Sequence, residues 1–192
     1  MKTLLALALA HALLFAQSPA DSWLDRPLTN WNAAGEPVPQ PRTGAETISE
    51  ILTRCPDTPD VSATAAERQV GAAGWLPFHM FDRQILSGDL EIVGGLAAAD
   101  GMCRPMSFNV FVFVQNRFAG TLSPAAMDSR TDGSVGGAIR VGGDGSIAAE
   151  FARYAASDAL CCPSARVTVR YRIDRTGQAP LVVPVAVRPT RK

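Results

Sequence analysis

Adjacent cysteines, Cys161 and Cys162, stand late in a chain that holds only two others, Cys55 and Cys103. The same chain opens on an export-type segment. Lys2 is the only charge ahead of a run from Leu4 to Phe15 made of Leu, Ala and Phe with one His, and Ser18-Pro19-Ala20 supplies small residues for cleavage after Ala20, with Ala16 as a less well matched site. The run is too short for a committed membrane span. Residues 1–20 therefore predict a cleaved Sec-type signal and a periplasmic or secreted product. In an exported chain, an even set of cysteines favours two disulfides over a metal site or free thiols.

Four cysteines allow three pairings. Neighbours in sequence sit closer than the usual disulfide separation, and a 161–162 bond would force strained geometry on the peptide between them. Setting that bond aside leaves both neighbours paired with Cys55 and Cys103 in one order or the other. Each bond would then close a loop worth about 3 to 4 kcal/mol in the chain-entropy model. The alternative pairs Cys55 with Cys103 and leaves Cys161-Cys162 as a reducible switch or soft-metal clamp.

Without residues 1–20, 17 Lys and Arg face 18 Asp and Glu, a formal charge of −1. A nearly neutral chain has no basic field to gather phosphates, which argues against nucleic acid as a partner. No later stretch is apolar for long enough to form a transmembrane segment. The remaining length, about 170 residues, suits one domain. Residues 21–43 carry Pro27, Pro37, Pro39 and Pro41 with Trp23 and Trp31, and read as an extended arm whose tryptophans dock on the body formed by residues 44–192.

Between Thr43 and Arg54, Ile48, Ile51 and Leu52 recur at helical spacing, with Glu46 and Glu50 on the other side; this helix ends at Cys55-Pro56. Ser62 or Thr64 caps a second helix through Val70, stopped by Gly71 or Gly74. From Trp75 the period changes to that of strands: Pro77–Phe81, Leu90–Leu96, Phe108–Val114, Phe118–Leu122, Val135–Val141, Ile147–Tyr154, Val167–Ile173 and Leu181–Val187. Phe108–Val114 is apolar on both faces and is the candidate central strand. Gly142-Gly143-Asp144-Gly145 marks a hairpin, and Pro184 places the last strand at an edge. The sum predicts an α+β fold: an antiparallel sheet of about six to seven strands, disulfide-stapled, with two short N-terminal helices covering one face.

The blocks Asp100-Gly101-Met102-Cys103-Arg104-Pro105, Phe118-Ala119-Gly120-Thr121-Leu122-Ser123-Pro124, Ala149-Glu150-Phe151-Ala152-Arg153-Tyr154 and Cys161-Cys162-Pro163-Ser164 resemble the LppP/LprE lipoprotein family across roughly Trp75 to Val183. That resemblance implies an exported bacterial envelope protein and assigns no activity. A lipoprotein carries a cysteine at its cleavage point, whereas the first cysteine here is Cys55. The expectation is a chain without a lipid anchor.

His79 is the one histidine beyond the signal, set in Phe78-His79-Met80-Phe81, and no Gly-x-Ser-x-Gly surrounds any serine. It reads as a packed or surface residue. Met80, Met102, Cys103 and Met106 with His79 are soft enough for Cu(I), but lack a repeated Met-x-Met or His-x-Met cluster, so core packing is the plainer account. Asp128, Arg130 and Asp132 occupy a polar stretch, Met127–Gly133, that falls short of a calcium loop because it lacks alternating acids and a terminal Glu. It reads as a turn held by Asx hydrogen bonds and an Arg130 salt bridge, with Arg130 offering a bidentate anion contact if the loop acts. The glycines from Gly133 to Gly145 have no phosphate-cradle spacing, and no cofactor is expected.

The sequence thus points to a non-enzymatic exported protein that binds a protein, glycan or lipid partner through the loop at Asp128–Gly133. Two other classes stand beside it. One is a small secreted hydrolase using His79 or a carboxylate such as Glu150 or Asp158; the other is a redox or soft-metal role for Cys161-Cys162.

Overall fold

The computed structural model describes residues 22–42, 44–56, 64–79 and 85–190. The signal reading of residues 1–20 lies outside them, as do Ser62, Met80 and Phe81. Both expected helices form: α1 over Ile48–Arg54 and α2 over Ala65–Ala72. Each opens on a capping box, in which Thr47 or Thr64 accepts from the backbone N–H three residues on while Glu50 or Glu67 reaches back to the cap. The two Thr-x-x-Glu spacings thereby satisfy N–H groups that the first turn leaves without helical partners.

Among the described residues nine strands follow. The first sheet holds β1 (Leu76–Phe78), β2 (Ile85–Ser87), β3 (Leu90–Ala99), β4 (Pro105–Val114) and β5 (Arg117–Thr121) in the order β1-β3-β4-β5, with β2 also on β3. The second holds β6 (Val135–Val141), β7 (Ile147–Arg153), β8 (Ala165–Asp174) and β9 (Leu181–Pro189) in sequence order. All pairings are antiparallel. The expected single sheet of six to seven strands is therefore corrected to two sheets. Short turns join β2 to β3, β3 to β4, β4 to β5 and β6 to β7, but the chain between Thr121 and Val135 crosses from one sheet to the other. Period-two alternation is the same on either side of such a crossing, so it does not report it.

The alternation sorts the core into two layers. Leu90, Ile92 and Leu96 of β3 and Phe108, Val110, Val112 and Val114 of β4 pack with Ile147, Ala149, Phe151, Val169, Tyr171 and Val182 of the second sheet. Val93, Ala97, Phe111 and Phe113 point the other way, onto Ala66 and Val70 of α2 and onto Trp75. β4 is buried on both faces, as its double-sided apolar pattern predicts. Of the two described helices, α2 alone packs on the outer face of the first sheet, with Val38 and Ala45 beside it. Ile51 of α1 and Cys55 at its end belong to the layer between the sheets, which corrects the expectation of two helices on one face.

Gly95 shows how closely α2 approaches. A Cβ there would stand 2.5 Å from Phe111 and 3.0 to 3.1 Å from Trp75 and Val70, so only a hydrogen leaves room for the packed ring. The arm docks as its tryptophans suggest. Trp23 Nε1 donates to Gly133 O at 3.0 Å, Trp31 Nε1 donates to Thr121 O at 3.2 Å, and the two rings stack edge to face. Asn32 Nδ2 donates to both Thr121 O and Val182 O, tying the ends of β5 and β9 together.

Cys55 closes α1 and bonds to Cys103 in the β3–β4 turn, with Cα atoms 5.6 Å apart. Cys161 bonds to Cys162, at a Cα separation of 3.8 Å and without a cis peptide. The expected pairing of both neighbours with distant cysteines is corrected. The helix end brings Cys55 against Cys103, and each of these saturates the other.

Candidate functional site: an arginine-lined cleft beside the vicinal disulfide

The loop that the sequence singles out, between β5 and β6, is rigid for reasons visible in its acids. Asp128 Oδ1 accepts from Ser107 N at 2.7 Å, and Asp128 O accepts from Thr131 Oγ1 at 2.7 Å. Asp132 Oδ1 accepts from Tyr154 N at 2.6 Å and from Arg153 Nε at 3.0 Å. Both carboxylates are therefore structural, but they tie the loop to β4 and to the end of β7 rather than closing the local Asx turns that were expected. The expected Arg130 salt bridge does not form among the described residues. Arg130 sits at φ +64°, exposed, where Asp128 and Asp132 have already turned to other donors.

Arg130 instead lines a cleft of about 310 Å³ with Arg104, Arg166, Tyr154, Ser129 and Cys161. Three segments meet there: the β5–β6 loop, the β3–β4 turn and the loop between β7 and β8. No Asp or Glu is among the cleft's described lining residues. Arg166 leaves the exposed face of β8 and donates from Nη1 to Gly136 O at the start of β6. Arg104 is steadied by Asp100, whose Oδ2 accepts from Arg104 Nε at 2.5 Å and whose Oδ1 accepts from Met102 N and Arg104 N. Those bonds, the Arg104 side chain first, hold the Asp100 carboxyl well below the usual carboxylate range, at about 2. Asp100 thus stays ionised and Arg104 stays clamped at any working pH.

The β7–β8 loop is braced in the same way. Asp158 Oδ2 accepts from Ala155 N and Ser164 N, both at 2.8 Å, bonds that lower its pKa and close the loop end to end. Tyr154 donates its hydroxyl to Leu160 O at 2.9 Å, and Cys162 N donates to Ala159 O at 2.9 Å. The exposed disulfide is thereby held at the mouth of the cleft, with Cys161 in its wall. Chemically, two guanidinium groups without a carboxylate partner among the described residues and a third fixed by one form a set of N–H donors suited to an oxyanion.

The other candidate residues lie elsewhere. His79 Nε2 meets Glu67 Oε1 at 2.9 Å, joining the end of β1 to the first turn of α2. Glu150 faces Arg140 at 2.7 Å on the second sheet, so His79, Glu150 and Asp158 each have separate partners. Of the soft-ligand set, Cys103 is taken up by its disulfide, and Met80 lies outside the described residues. Among the described residues no group of three His, Cys, Asp or Glu is placed to hold a metal ion. Arg104, Arg166 and Tyr154 were not legible as site residues. Arg166 falls on the outward positions of an alternating strand, which is the ordinary place for a solvated charge, and its convergence with Arg130 is tertiary.

Residues 88–176 match the family described as LppP/LprE lipoprotein. The resemblance drawn from four sequence blocks is borne out over that stretch, which is shorter than Trp75–Val183 and contains Arg104, Arg130, Arg166 and the vicinal pair. No curated protein and no solved structure matches the chain. No described helix is long and apolar enough to cross a membrane.

Proposed function

We propose that this is a non-enzymatic, exported protein of the bacterial envelope that acts by binding, and that its partner presents an anionic group to the cleft of Arg104, Arg130 and Arg166. The observation that carries this reading is the composition of that cleft: three arginines and no acid, with neither Arg130 nor Arg166 ion-paired among the described residues. The envelope part rests on the leader-like first twenty residues and on the lipoprotein family match. Oxyanions on a glycan, a lipid headgroup or an acidic peptide share the chemistry that guanidinium forks recognise.

Calorimetric titration with inorganic phosphate tests the reading. Binding that weakens as salt rises and falls at least about tenfold in Arg130→Gln, the size expected for losing a charge-assisted contact, is the expected result. Equal heats for the wild type and Arg130→Gln would count against the cleft.

A further inference from the structure

The two disulfides do different physical work. Cys55–Cys103 closes 48 residues and has one buried partner, so it removes many conformations from the unfolded chain. Cys161–Cys162 spans one peptide bond and closes no loop, so that stabilising term is nearly absent. Both of its cysteines are exposed. The wall that holds Cys161 is the one lined by Arg104, Arg130 and Arg166, and neighbouring cations favour a thiolate over a thiol. An exposed disulfide with a cation-stabilised leaving sulfur has the features of an exchangeable couple rather than a structural one.

We infer that Cys161–Cys162 is a thiol–disulfide exchange site whose reaction partner is a solvent-accessible dithiol, with attack at Cys162 and release of Cys161 toward the arginines. This shares the arginines of the reading above but needs no ligand in the cleft. One thiolate of the incoming dithiol bonds to Cys162 Sγ as the 161–162 bond breaks, and Cys161 departs as thiolate. The second thiol of the dithiol then attacks the mixed disulfide, freeing Cys162 and forming the partner's own disulfide. Two electrons and two protons pass from the dithiol to the cysteine pair, and the reverse reaction restores the bond.

Two measurements on the full-length protein test this. In the first, the oxidised protein is exposed to graded dithiothreitol, quenched with acid, alkylated and mapped. The expected result is label on Cys161 and Cys162 at dithiol levels that leave Cys55–Cys103 closed; label on Cys55 and Cys103 first, or on all four together, would overturn the inference. In the second, the alkylation rate of the single free thiol is followed against pH in Cys162→Ser and Cys161→Ser. Cys161 should titrate below the ordinary thiol value of about 8.5 and below Cys162, and Arg130→Ala should raise it. The reverse order, or no response to Arg130→Ala, would overturn the assignment of Cys161 as leaving group. If phosphate fails to bind while exchange proceeds as stated, the binding proposal falls and the exchange site stands.

Discussion

Tyr171, fully buried in the middle of β8, donates its hydroxyl to the carbonyl of Leu122, the first residue after β5. That bond fixes the point where the chain leaves one sheet for the other. Removing the hydroxyl in Tyr171→Phe strands a buried carbonyl, and the expected cost is about 1 to 3 kcal/mol in urea unfolding. A change within about 0.5 kcal/mol, the range of an ordinary surface substitution, would show that the crossing needs no such tie.

The same residue makes stability depend on alkaline pH. Burial raises the Tyr171 pKa well above its ordinary 10.0. A raised folded pKa means that its contribution is fully present below about pH 10 and is lost as pH rises from there toward the folded value. The chain's two lysines lie at positions 2 and 192, so few other groups compete in that window. Thermal midpoints should fall above pH 10 in the wild type and fall less in Tyr171→Phe; parallel curves would contradict the assignment.

Gly95→Ala should destabilise by about 1 to 3 kcal/mol, because its methyl group meets the Phe111 ring and the α2 contact at once. Gly101, whose added Cβ would meet nothing within 4 Å, is the control and should tolerate alanine far better. Chemical denaturation of the two variants side by side decides it.

The disulfides should separate energetically. Cys55→Ser with Cys103→Ser is expected to cost about 4 kcal/mol, the loop-entropy value for a closure of this length. Cys161→Ser with Cys162→Ser should cost less than about 1 kcal/mol, since no loop opens. Equal losses in urea unfolding would mean that the vicinal bond is structural.

At low pH, Asp100 should remain ionised longer than an ordinary aspartate. Its folded pKa of about 2 lies below the ordinary 3.8, so the Arg104 clamp is complete above pH 3.8 and is lost as pH falls toward 2. Carboxyl carbon shifts followed by NMR should give a midpoint near 2, and a midpoint near 4 would show that Arg104 is not held.

The strands were legible because each keeps period two over a buried face, and the ends of β6, β8 and β9 fall within two residues of their expected positions. The helix caps at Thr47 and Thr64 follow from local chemistry that sequence displays directly. β2, three residues long, has too little pattern to separate from a turn. The division into two sheets, the position of α1 between them and the vicinal bond all depend on which distant segments meet. Arg130 stands out in the sequence because it lies in a polar loop between strands, whereas Arg104 and Arg166 come to the cleft from a tight turn and a strand, where a charge has an ordinary explanation.

The cleft itself is tested most directly by anomalous diffraction from crystals soaked in selenate, an oxyanion that reports its own position. A selenium peak is expected between the guanidinium groups of Arg104, Arg130 and Arg166 in the wild type, and it should be lost in Arg130→Gln. Selenium sites elsewhere on the molecule with the cleft left empty would contradict it.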